Sequence, residues 1–275
     1  MPESARAPVC LPQGFCTHTG SQGPVLGCTG APVPFFSDDP MRALQLVRLA
    51  AESGCAAEWD CFAAAMDAAP ALVHADPLAV RDELNRALTG LCPQALAPLV
   101  QAGGLRGVGI RGCACLHPLT QAPSGLLSRW WLFLRLCGAD AEQAARRMKL
   151  GQTFCQDYAR LDELFRAGPP ADRLALKRCL AEGAPLPAEE MAALFSLLAP
   201  GWEPIVALYR ELLDSREPFS PDQLAVTQAE LMAEGVSARK AGKVLSMLLK
   251  VVVEQPELNV APVLLQLGRS LARFI

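Results

Sequence analysis

Aromatic residues make up only 6% of this 275-residue chain, two of them Tyr, and Ile is also scarce. Strands draw on β-branched and aromatic side chains, so the shortage counts against a large sheet. Histidine is represented by His18, His74 and His117 alone. None has a second His four residues on and none is followed by Asp, which removes a helical zinc pair and a His-Asp phosphohydrolase centre. No apolar run is long enough to span a bilayer. The nearest, SRWWLFLRLC, carries two arginines and reads as a buried helix, so no membrane association is expected. The N-terminus offers a proline and an acidic residue where a secretory signal has a basic start and an apolar run, and the expectation is a cytoplasmic protein.

What the chain does have is Ala and Leu in abundance, with hydrophobic residues at 51%. That is ample for a core and suits buried helices. The eleven cysteines are odd in number and irregular in spacing, and Cys55, Cys61, Cys137 and Cys179 fall inside apolar helical patterns. They read as small core residues in a reducing compartment rather than a disulfide framework. Cys113, Cys115 and His117 form one local cluster, but a zinc site needs a second ligand pair and none is evident, so no metal site is expected.

Charge, spacing and helix geometry agree on a chemical task in one stretch, residues 35–54, FFSDDPMRALQLVRLAAESG. Asp38 or Asp39 can cap a helix whose first turn holds Pro40, because a carboxylate accepts free backbone N–H groups and proline has none. Met41, Leu44, Val47 and Ala51 then form an apolar stripe, while Arg42, Gln45 and Arg48 recur on a neighbouring face. Asp39 and Arg42 sit one turn apart. A guanidinium fork beside a carboxylate offers donors and acceptors enough to hydrogen-bond the edge of a nucleobase. The plainer alternative is a helix cap with an ion pair on a solvated face.

The string VLGCTGAPVPFFSDDPMRALQLVRLAAESG resembles the stretch joining head to neck in bacterial tRNA nucleotidyltransferases and poly(A) polymerases, the CCA-adding family. The resemblance continues through LAVRDELNRAL and QAGGL to LAVTQAELMAEGVSARKAGKVLSMLLKVVVEQPELN. In that family a motif of carboxylate, Asp and Arg presents its side chains to the Watson–Crick edges of incoming CTP and ATP. The match implies nucleotide-binding roles for Asp38, Asp39 and Arg42, with Arg48 at a further arginine position of the same helix. Gln45 departs from the arginine usual there. It further implies an all-α, multi-helix array of neck (residues 35–115), body (116–200) and tRNA-binding tail (201–275), preceded by a short irregular remnant of the head's end (1–34).

Two departures bear on activity. The family's head carries two metal-binding carboxylates one residue apart, and this chain has no Asp-x-Asp. A two-metal phosphoryl-transfer site cannot be built without such groups. A Glu-Arg pair usual before the helix RDELNRAL falls on Leu78 and Ala79. The resemblance therefore implies a chain with no catalytic residues and no metal site of its own, inactive alone, with Mg²⁺ and CTP or ATP entering only beside a complementing head. The expected partners are tRNA and a separately encoded nucleotidyltransferase head. The other reading is a helical protein-interaction module derived from the same family without RNA function.

Net charge is −3, yet residues 101–150 hold seven basic residues against two acidic ones. Local potential, more than total charge, decides phosphate binding, and Arg146, Arg147 and Lys149 are the candidates there. A second group, Arg239, Lys240 and Lys243, lies at the start of a helix that Ser237 can cap, and Gly235 turns the chain into it. Residues 1–34, rich in Gly, Pro, Ser and Thr without a sustained period, are expected to be weakly ordered unless another polypeptide covers them.

Overall fold

A computed structural model describes residues 11–20 and 23–275. Helix dominates, at 65%, and the sheet is limited to three short strands. The chain forms two compact units, divided after Tyr158.

The first unit opens with β1 (Phe15–Gly20) and β2 (Gly23–Cys28), antiparallel, Phe15 opposite Cys28. This pairing arises in a segment whose composition has little strand character. Its cause lies outside the segment, since Phe15 packs edge-on against Phe35 and Phe36 with centroids at 5.3 and 6.4 Å. An aromatic trio of this kind contributes beyond simple burial. Those partners sit on α1 (Pro32–Asp38), a short helix that periodicity does not reveal. Next come α2 (Met41–Ser53) and β3 (Ala56–Ala57), which extends the sheet parallel to β2.

Helix α2 is the centre of this unit. Leu44, Val47 and Ala51 are buried as the apolar stripe predicts, and so are Ala43, Leu46 and Leu49, because neighbours cover the helix on several sides. These neighbours are α3 (Trp59–Ala68), α4 (Pro77–Leu88) and the 3₁₀ turn Pro93–Leu96. Gly54 ends α2 in the left-handed region at φ 70°, its N–H on the Ala50 carbonyl, a conformation glycine adopts without steric cost. Gly90 lies so close to α2 that a Cβ there would stand 2.6 Å from the Ala51 carbonyl oxygen.

After α5 (Ala97–Gln101) and a turn-rich link comes α6 (Leu126–Leu136), buried from Ser128 to Leu134 as its apolar run predicts. Two of its polar side chains find partners inside, whereas the buried Ser128 Oγ has no hydrogen-bond partner. Trp130 Nε1 donates to Asn85 Oδ1 at 2.7 Å, and Arg129 Nε donates to the Pro123 carbonyl at 2.9 Å. Helix α7 (Ala141–Arg147) is capped by Asp140, and α8 (Gln152–Ala167) carries the division between units.

The second unit contains α9 (Arg173–Ala181), α10 (Ala188–Ser196), α11 (Pro204–Ser215), α12 (Gln228–Ala233), α13 (Ala238–Glu254) and α14 (Ala261–Phe274). A core of Leu231, Val236, Ala241, Val244, Leu248, Val252 and Leu264 joins α12, α13 and α14. The Thr227–Glu230 capping box starts α12, both of its reciprocal hydrogen bonds being present. Among the described residues no helix is long and apolar enough to cross a membrane.

Candidate nucleotide and nucleic-acid recognition sites

The chain reverses between α1 and α2 at Asp39 and Pro40. Asp39 Oδ1 accepts the Met41 N–H at 3.0 Å, and the Asp39 carbonyl accepts the Arg42 N–H at 3.0 Å. One residue thus satisfies two of the N–H groups that a helix start leaves unpaired. Arg42 Nη1 donates to the Phe35 carbonyl at 2.9 Å, its guanidinium lies 4.3 Å from the Phe35 ring centroid, and its Nε stands 3.7 Å from Asp39 Oδ2. The fork is held in place by an aromatic face and a carbonyl. Both side chains remain open to solvent, at 32% for Arg42 and 47% for Asp39. A planar donor and a carboxylate acceptor are thus fixed side by side at a helix start. Asp38, the last residue of α1, is exposed.

Arg48 is placed quite differently. Its side chain is 1% exposed, with Nε on Glu83 Oε2 and Nη1 on Glu52 Oε2, each at 2.6 Å. Glu52 also accepts from Arg86 Nε at 2.8 Å. Arg48 clamps α2 to α4, and its charge is engaged within the protein rather than presented alongside Asp39 and Arg42.

The basic candidates divide in the same way. Arg146 is highly exposed and pairs with Glu142 at 2.6 Å, Arg147 Nη1 donates to the Gly107 carbonyl at 2.8 Å, and Lys149 is exposed with a positive φ of 50°. Elsewhere in the basic segment Arg129 is buried, which lowers its guanidinium from the ordinary value, and Arg135 lies over the Trp131 ring at 5.0 Å. The local charge excess is thus only partly a surface property.

In the second unit Arg239 and Lys243, one turn apart on α13, are exposed, whereas Lys240 Nζ donates to the Ala272 carbonyl at 3.0 Å. The Ser237 side chain makes no capping bond; its carbonyl accepts the Lys240 and Ala241 N–H groups. Beside it a cleft of about 300 Å³ is lined by Glu234, Ser237, Lys240, Arg269 and Arg273. Arg269 pairs with Glu234 at 3.1 Å. Arg269 and Arg273 were not among the candidates read from sequence. Two arginines four apart on an amphipathic terminal helix were the available signal.

Cys113 donates to the Ala97 carbonyl at 3.9 Å, and burial raises its thiol above the ordinary value. Among the described residues no group of three or more His, Cys, Asp or Glu side chains is arranged to hold a metal ion.

No family model matches the chain, and no curated protein sequence does. Among solved structures it is similar to the CCA-adding enzyme of Bacillus stearothermophilus in complex with CTP, with a TM-score of 0.58 and 18% identity over 84% of this chain. The match spans 61% of the length of that enzyme's chain. At this identity the likeness is one of fold.

Proposed function

We propose that this chain recognises a nucleotide base edge and a tRNA backbone, as the non-catalytic part of a CCA-adding tRNA nucleotidyltransferase or poly(A) polymerase-like protein. The observation that carries the reading is the Asp39–Arg42 pair, held at the start of α2 on the Phe35 ring in a fold similar to that of an enzyme solved with CTP. In this reading Arg42 donates to the base, Asp39 accepts from it, and Asp38 contributes charge at the rim. Arg48 acts one step removed, fixing α2 against α4 so that the pair stays in place. Arg239 and Lys243 supply phosphate contacts in the second unit, with Arg146, Arg147 and Lys149 as a further basic group in the first.

Among the described residues no group of three or more His, Cys, Asp or Glu side chains is arranged for Mg²⁺, and the chain has no Asp-x-Asp, so the residues present do not fit the two-metal site. No phosphoryl-transfer step is assigned to this chain; that chemistry belongs to a nucleotidyltransferase head acting with it. The test is reconstitution with such a head, in trans or by fusion. Arg42→Ala should impair choice among CTP, ATP, GTP and UTP, since a bidentate base contact gives roughly 1–3 kcal/mol of discrimination. Unchanged selection in an active Arg42→Ala assembly would overturn the reading. The internal engagement of Arg48, Arg147 and Lys240 favours a second reading, a helical interaction module without RNA function. Absence of salt-dependent tRNA binding would select it.

A further inference from the structure

We infer that Cys28 and Cys61 form a reversible dithiol–disulfide site, a covalent modification site separate from the nucleotide and RNA surfaces. Cys28 is the last residue of β2, and Cys61 lies in the first turn of α3. The Cys61 S–H donates to Cys28 Sγ at 3.3 Å, so the two sulfurs are already in contact and a small approach would join them. They differ in access, Cys28 being 8% exposed and Cys61 1%. Glu58 Oε2 lies 3.8 Å from Cys61 Sγ and is the nearby carboxylate able to take its proton. On the adjoining strand Cys16 Sγ is 3.1 Å from His18 Nε2. His18 and Glu58 converge over Gly27, where a Cβ would stand 2.7 Å from His18 Nε2 and 3.0 Å from Glu58 Oε2. A buried dithiol flanked by a carboxylate and an imidazole is an unusual concentration of proton-transfer groups for a simple packing contact.

These positions assign an order of events. Cys28, the acceptor of the S–H hydrogen bond and the less deeply buried residue of the two, attacks a low-molecular-weight disulfide such as glutathione disulfide. One sulfur–sulfur bond forms, the original one breaks, and the departing thiolate takes the Cys28 proton. Cys61 then passes its proton through Glu58 as its sulfur attacks Cys28, expelling the second thiolate as a thiol. Two hydrogens leave the protein and one small disulfide becomes two thiols. Burial, the hydrogen bond to Cys28 and the Glu58 charge push the Cys61 thiol up to about 12, so in the reduced pair Cys61 holds its proton. The resulting bond would tie β2 to α3 and close a loop containing Asp39 and Arg42.

The full chain, reduced and then equilibrated in glutathione buffers of rising disulfide fraction, can be quenched in acid, alkylated while denatured and mapped by peptide mass spectrometry. The expected result is joint loss of the alkylation tags on Cys28 and Cys61, recovery of their cross-linked peptide, and reversal by dithiothreitol. In Cys61→Ala, glutathione should stay trapped on Cys28. Retention of both tags while exposed Cys115 becomes glutathionylated would overturn the inference. So would joining of Cys28 to another cysteine, or masking of these thiols that a chelator rather than a reductant relieves. The wild-type map decides the matter by itself if the variant does not fold.

Discussion

In each unit a buried cation is paired with carboxylates, while Arg129, also buried in the first, donates to the Pro123 and Leu88 carbonyls instead. In the first, Arg48 is 1% exposed and divides its fork between Glu83 and Glu52; in the second, Lys177 is 2% exposed and bonds Glu217 at 2.8 Å. Both join neighbouring segments, and both have a second cation close by, Arg86 on Glu52 and Arg173 on Glu217. The difference lies in the donor. A guanidinium satisfies two carboxylates in fixed directions, whereas an ammonium acts as a compact charge on one. Removing Arg48 therefore strands Glu83 and weakens the seat of Glu52, while removing Lys177 leaves Glu217 with Arg173. Position on a basic helix does not reveal which cations serve the interior, and the half-buried Arg42 and exposed Arg239 are the same residue type as the buried Arg48.

Arg48→Ala should have the largest effect, a loss of about 3–5 kcal/mol from the first unit, since breaking a buried pair leaves uncompensated charge. Native-state hydrogen exchange of the α2 and α4 amides measures it, and protection equal to wild type would dissolve the distinction between Arg48 and Arg42. Lys177→Met should cost less, about 1.5–3 kcal/mol, the range for a hydrogen bond to a charged group. Exchange of the α9 amides reads this change, and a loss exceeding that of Arg48→Ala would reverse the ranking.

Acid sharpens the comparison. The Lys177 hydrogen bond holds the Glu217 carboxyl below its ordinary value against the opposing effect of burial, with the charges of Lys177 and Arg173 adding to the depression. A carboxylate depressed in the folded state contributes stability that is present above the ordinary carboxylate range and lost as pH falls through the lowered value. Stability of the second unit should fall on that acid limb, and the fall should be shallower in Lys177→Met. An identical limb in both proteins would remove Glu217 from the account.

The exposed cations should move binding more than folding. Arg239→Ala and Lys243→Ala should each reduce the salt slope of tRNA binding by about one unit for a lost phosphate contact. Lys240→Ala should change it less, since that side chain is committed to the Ala272 carbonyl. Equal slopes for all three would place the RNA surface elsewhere. The smallest stability effect belongs to Arg42→Ala, about 0.5–1.5 kcal/mol in urea unfolding, for a half-buried side chain that gives up its bond to the Phe35 carbonyl and a 3.7 Å ion pair.

Much of this was legible locally. The Asp39-Pro40 helix start and the buried α6 run are each written within a few neighbouring residues, so spacing alone exposes them. What escaped depends on partners far along the chain. Arg48 meets Glu83 across 35 positions and Lys240 meets Ala272 across 32, so neither engagement leaves a trace in a helical pattern. The β1–β2 pair was hidden for the same reason, since Phe15 finds its aromatic partners only after α1 has formed. Ser237 had the identity of a cap, but its carbonyl alone serves the helix.

Gly90 carries the comparison to a residue without charge. The Ala51 backbone occupies the place where a side chain at position 90 would begin, and the Cys92 N–H returns to that same Ala51 carbonyl at 2.8 Å. Even one added methyl group must wedge the end of α4 away from α2, lengthening the reach from Arg48 to Glu83. A mutational survey ranked by polarity would pass over position 90, although the first unit's ionic clamp closes only at the helix spacing this missing side chain permits.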